Sequence, residues 1–520
     1  MNRLFIILLT LFLGSCDSWL DVKPENQVTF TNYFEDEKDV EGAVLQLFAA
    51  ESVFLAGEND WQKWVGILAD EWSSTYMAPR LFQASLLSTW QSNWTNLYKI
   101  VYLANTILEN GPRASMDNDR MDFWLGQAYF VKGIGYFQIA RTYGDAVITK
   151  NSTSLEAYGR SPMLEVIDTA IVNALNAYRL LPEFENLKDL SGSAISSKQY
   201  AGKGAAAALL AHLYAWRGSV TELFELEGDA TADYQKSIDY STEIIDQKVG
   251  FYELQPNPET LCEVMSSMGE YNKESIFEIE LNPSETYAKP MHVLGYFLTG
   301  YPINVNETYA TQNTKSFRLK WTTVLSMYEE NDERLAAYFY EDENIINNRV
   351  TYPNAYLKKW REGFYYTTSG GTTTRMSALR ANQVEWRLAE IYLLRAECRV
   401  KLGTTGAEDD LNEVRKRANA TPYPAAGEHD LKLAVFKERE KELLYENHRF
   451  SDVVRNGIEY IQQYFGYSYT DGTEVQESYL KYVTKQDLKD GILFQPVPKS
   501  AFEMNTLMRQ TAFWMRYVKY

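Results

Sequence analysis

Apolar residues recur at helical spacing through most of the chain, and three of these stretches stop at a glycine. Val40, Val44, Leu47 and Phe48 fall on one face of a predicted helix, and Trp94, Leu97, Tyr98, Val101 and Ile107 repeat the pattern over 90–108. Further helices are expected over 128–144, over 163–181 between Pro162 and Pro182, and over 198–217 with 233–247 as its antiparallel partner. Beyond them come 383–402, its partner 409–420, and a long charged helix over 430–454. Gly144, Gly218 and Gly403 stand where a helix C-terminus favours glycine. Helices paired after short links, in units of roughly 34 to 50 residues, predict a mainly α fold built as a tetratricopeptide-like array of helical hairpins. Such hairpins bury one another's apolar faces and leave a curved surface.

One region breaks the pattern. Residues 251–381 carry Pro256, Pro258, Pro283, Pro290, Pro302 and Pro353 and the loop Thr367-Thr368-Ser369-Gly370-Gly371-Thr372. Ser275 to Leu281 alternates as a strand does. A loop-rich region with short strands, set into a helical frame, is where recognition is expected. With 45% hydrophobic and 23% charged residues over 520 positions, the chain is globular in composition. Acids exceed Lys and Arg by 70 − 51 = 19, which argues against a nucleic-acid partner.

The N-terminus has its own logic. Arg3 precedes the apolar run Leu4 to Leu13, too short for a bilayer span but suited to a signal peptide. Leu13-Gly14-Ser15-Cys16 matches a bacterial lipobox, in which small residues fit the peptidase and the thiol receives diacylglycerol. The expected organisation is a signal peptide over 1–15, a lipidated tether over 16–34, a helical region over 35–250 and a C-terminal region over 251–520. The last divides into a loop-rich part, 251–381, and a helical part, 383–455. Cys262 and Cys398 are expected to be buried free thiols.

Catalytic signatures are sparse. His212, His292, His429 and His448 form no metal-ligand spacing, so neither metal nor cofactor is expected. Asp70-Glu71 and Asp409-Asp410 are acidic pairs of the kind a glycosidase would need across a cleft. Glu438, Glu442 and Glu446 share a helical stripe. Like charges there repel, so an ion network between helices is expected, with Arg439 and Arg449 as compensating cations.

The run Glu438 to Arg455 resembles the charged signature of the SusD/RagB family of outer-membrane nutrient-binding lipoproteins. The resemblance extends along nearly the whole mature chain. It takes in Cys16-Asp17-Ser18-Trp19-Leu20-Asp21, Trp94 to Ile100 followed by Ala104-Asn105, and Tyr143-Gly144-Asp145. It continues through Arg387 to Glu397, Asp410 to Ala418, and Gln495-Pro496-Val497-Pro498. Val497 replaces the family's Ile, and Arg509-Gln510-Thr511 lacks its usual Gln-Asn pair. The resemblance implies a binder rather than an enzyme, anchored by lipid through Cys16 at the outer membrane and facing outward. It implies capture of an oligo- or polysaccharide for a SusC-like TonB-dependent transporter. A peptide-binding RagB-like member and a non-ligand-binding assembly scaffold are the alternatives. Aromatic faces receive the apolar side of a sugar ring and polar groups its hydroxyls. On that chemistry the expected ligand platforms are Trp72 and Tyr76 with Arg80 nearby, and Tyr296, Tyr301, Trp321 and Trp360 in the loop-rich region. Lys358-Lys359-Trp360-Arg361 is a local basic patch that would favour an acidic glycan.

Overall fold

A computed structural model describes residues 33–55, 82–89, 93–267, 271–280, 303–306, 319–340, 354–367, 371, 374–470, 474–503 and 505–518. The helical array is present. Helices α1 (Glu37–Leu55), α2 (Ala84–Leu87), α3 (Trp94–Asn110), α4 (Asn118–Tyr143), α5 (Met163–Leu180), α6 (Lys203–Leu223) and α7 (Ala230–Ile245) form the first part. Packing runs mostly from neighbour to neighbour: α1 on α3, α3 on α4, α4 on α5, α5 on α6, α6 on α7. After α8 (Pro258–Ser266), α9 (Trp321–Met327) and α10 (Arg334–Tyr338), the array resumes with α11 (Leu388–Leu402), which packs on α7. Helices α12 (Ala407–Arg417) and α13 (Leu431–Glu442) then pack on α11.

Gly144 and Gly403 end α4 and α11 with φ of 68° and 64°, as a C-cap requires. Gly218 does not end its helix, because α6 runs on to Leu223. Its role is close approach: a Cβ there would lie 2.9 Å from the ring of Tyr234 on α7.

Two further expectations are corrected. The helix foreseen over 383–402 begins as strand β2 (Gln383–Arg387), paired antiparallel with β1 (Ser275–Ile279). All five residues of β1 are buried, so this ribbon is covered on both faces. The charged helix foreseen over 430–454 breaks after Glu442 and restarts as α14 (Arg449–Arg455). Tyr445 and Asn447 take φ of 63° and 64° in the turn between them. Lys359 donates to the carbonyls of Glu442 and Leu444 at 3.2 and 3.1 Å, and Arg387 donates to the Glu442 carbonyl at 2.9 Å. These tertiary donors satisfy carbonyls that a continuous helix would have satisfied itself.

The loop-rich region has a core of its own. Leu261, Cys262, Val324, Tyr338, Phe339 and Tyr356 pack with Trp321 and Trp360. Cys262 and Cys398 are buried free thiols in separate clusters. Among the described residues no helix is long and apolar enough to cross a membrane.

Candidate functional site

The stripe of acids is compensated, but not by the cations nearest in sequence. Glu438 meets Arg334 at 2.6 Å and Arg415 at 2.8 Å. Glu442 meets Arg387 at 2.6 Å, Arg334 at 3.1 Å, and Arg417. Glu446 meets Arg387 at 2.8 Å, and Lys359. Arg439 turns the other way, to Glu390 at 2.8 Å and Asp452 at 2.9 Å, and Arg449 pairs with Glu440. Burial opposes charge on Glu446, yet Arg387 and Lys359 hold its carboxyl down at about 2. Burial likewise opposes charge on Glu442, which Arg417, Arg387 and Arg334 hold well below the usual carboxylate range. These acids stay ionised and enclosed, so they tie β2, α12 and α13 together rather than offer a proton.

The other acid pairs fare no better as chemistry. Asp410 is clamped by Arg395 at 2.6 Å and Arg399 at 2.7 Å. Asp70 and Glu71 lie outside the described residues. Among the described residues no group of His, Cys, Asp and Glu could hold a metal ion.

Of the predicted platforms, Trp72, Tyr76, Arg80, Tyr296 and Tyr301 lie outside the described residues. Trp321 and Trp360 are 3% and 2% exposed and belong to the second core, so neither ring has a face open to a ligand. The basic patch beside them is spent internally. Lys359 is in the ion network, and Arg361 grips Glu259 at 2.5 and 2.7 Å.

An open aromatic surface exists elsewhere. A cleft of about 370 Å³ is lined by Phe82, Gln83 and Ser85 at the start of α2, by Tyr479, and by Phe513 and Tyr517. Three chain segments build it. Ser478 caps a 3-10 turn over Tyr479–Tyr482, its hydroxyl accepting from the Leu480 amide at 3.3 Å. A three-residue period sets Tyr479 and Tyr482 on one side while Leu480, fully buried, anchors the other. A second 3-10 turn, Trp514–Arg516, is pinned by the Trp514 indole N–H donating to the Phe494 carbonyl at 2.6 Å.

The floor is Phe82 and Phe513, and the open walls are Tyr479 and Tyr517, 44% and 40% exposed. Phe82 lies nearly parallel to Tyr479, centroids 6.3 Å apart and planes 27° apart, and tilts against Phe513 at 6.0 Å. Phe513 meets Tyr517 at 5.5 Å. Phe82 has φ of 51°, a left-handed conformation rare for a bulky side chain and of the strained kind that clusters at functional sites. The sequence reading missed this cleft. Its signal was the spacing of Tyr479 and Tyr482 and the aromatic run Phe513-Trp514 before Tyr517. Phe82 follows directly on the segment that carries Trp72, Tyr76 and Arg80.

Comparison with known proteins covers the same chain almost end to end. A family model described as "SusD family" matches residues 224–514, and one described as "Starch-binding associating with outer membrane" matches 18–215. SusD-like protein P2 of Formosa agariphila is 23% identical over 495 residues, 87% of this chain and 89% of that protein. In fold, a SusD homolog from Bacteroides thetaiotaomicron aligns with a TM-score of 0.71 at 20% identity, covering 93% of this chain and 99% of that one. B. fragilis NanU aligns at 0.65 with 17% identity, over 94% and 99%.

Proposed function

The chain belongs to the SusD family, and from that premise we propose that it is an outer-membrane lipoprotein that captures glycans for uptake. Cys16 carries the lipid, the folded body faces outward, and the bound oligo- or polysaccharide passes to a SusC-like TonB-dependent transporter. The observation that carries the reading is an aromatic cleft, open to solvent, on a chain matched by a family described as starch-binding and outer-membrane-associated. Tyr479 and Tyr517 offer the ring faces that a sugar's C–H surface packs on. The enclosed and paired acids of the ion network favour binding without turnover.

The test is calorimetric titration of the full-length chain in detergent micelles against neutral polysaccharides, acidic polysaccharides and a peptide digest, with the mixtures then examined for cleavage. Saturable binding to a glycan class with no product released is the expected result. Binding to peptide alone, or steady release of shortened glycan, overturns the reading.

A further inference from the structure

We propose that the Phe82–Tyr479–Tyr517 cleft binds a neutral sugar stretch and discriminates against carboxylated glycans. The inference rests on the glycan-capture reading and adds the substrate class. Its basis is the charge census around the cleft. The lining is aromatic, with the exposed amide of Gln83 and hydroxyl of Ser85 at the rim, and no charged side chain lines it among the described residues.

Among the described residues, Arg516, Lys481, Lys485 and Lys489 beside the cleft each meet an acid. Arg516 lies over the Phe513 ring at 5.7 Å, but its guanidinium reaches Asp490 at 2.7 Å and Asp487 at 3.9 Å. Lys481 pairs with Glu477, and Lys485 and Lys489 both meet Glu225 at 2.6 Å. A sugar carboxylate entering here would shed water and, among the described residues, find no cation without an acid partner, which is costly for an ion. The chain's net charge of −19 adds a repulsive background. A neutral ring loses nothing of this kind. It gains the two Tyr faces, already packed against the floor of Phe82 and Phe513, so the platform is in place before the ligand arrives. At about 370 Å³ the cleft is near the lower end of ligand-pocket sizes and suits a short stretch of chain rather than a long one.

The experiment uses the full-length chain and matched oligosaccharides: glucan, xylan and mannan fragments against polygalacturonate and alginate fragments of the same length. Expected are binding of at least one neutral series, no saturable binding of the acidic series, and a roughly tenfold weaker Kd in the Tyr479→Ala/Tyr517→Ala double variant. Tyr479→Phe and Tyr517→Phe should keep most of the affinity, because the ring face does the binding. Neutral binding that is unchanged in the double Ala variant overturns the cleft assignment and leaves glycan capture standing. Preferential acidic binding lost in the same variant overturns the class. Absence of any glycan binding, with peptide bound instead, overturns glycan capture itself. Both tyrosines are partly exposed and outside the buried core, so the variants should fold, and an unchanged melting temperature checks that they do.

Discussion

Glu442 shows how much of this protein is held by charge that water never touches. Its carboxylate is fully buried and shared among Arg387, Arg334 and Arg417. Removing one partner of such a group leaves the others buried and unpaired, at about 3–5 kcal/mol. Glu442→Gln should therefore lower the unfolding free energy by that order in denaturant titration. A change within about 0.5 kcal/mol would mean the network is neutral to folding. Glu446 gives the same network a pH signature. Its folded pKa of about 2 lies below the ordinary value of 4.5, so its stabilisation is present above about 4.5 and lost as pH falls toward 2. The gap in stability between wild type and Glu446→Gln should narrow across that window, and a gap constant down to pH 3 would contradict the assignment. The sequence made the need for compensation legible, because three acids on one stripe repel. It could not say who compensates, since Arg334, Arg387 and Arg417 are close only in space. Trp321 and Trp360 carry the same lesson. Aromatics in a loop-rich region serve a core as readily as a ligand, and only burial separates the two.

At the level of elements, local signals were read where they were sufficient. Gly144 and Gly403 stop their helices with a positive φ that glycine adopts freely; a Cβ at Gly403 would meet nothing, whereas one at Gly144 would also lie 2.8 Å from the ring of Phe494. Gly218 carries the same letter but answers to a neighbouring helix. Gly218→Ala makes the difference measurable. Ala should gain about 1 kcal/mol of helix propensity. The added Cβ would sit 2.9 Å from the ring of Tyr234, which is 1% exposed and tied by its hydroxyl to Glu222 at 2.6 Å. Overpacking of this kind costs about 1–3 kcal/mol. The expected outcome is a net loss of stability in thermal unfolding, whereas a stabilised variant would mean that α6 and α7 can part without penalty. The misread elements follow the same rule. Val384 and Trp386 belong to a strand because β1, more than a hundred residues earlier, supplies its partner. The turn after Glu442 has neither Gly nor Pro to announce it, and is set by Lys359 and Arg387 reaching in from elsewhere.

The whole molecule assembles the aromatic cleft from segments that no single stretch of sequence joins. Residues 82–85, Tyr479 and Phe513 to Tyr517 are drawn together from opposite ends of the chain. The excess of 19 acids, by contrast, was plain from the start, and it weighs against a polyanionic ligand. A polyanion approaching this chain would be repelled over the Debye length, about 30 Å at 10 mM salt and about 10 Å at 100 mM. Its binding would therefore strengthen as salt rises, until screening is complete. A ligand held by ion pairs would behave in the opposite way and weaken. A neutral sugar stacked on Tyr479 and Tyr517 feels neither effect, because no charge is brought up and none is desolvated. Its Kd, measured by titration from about 10 mM to about 500 mM sodium chloride, should change by less than about twofold. A tenfold change over that range would mean that charge on the protein governs access to the cleft, and would remove stacking on the two rings as the sole account of binding.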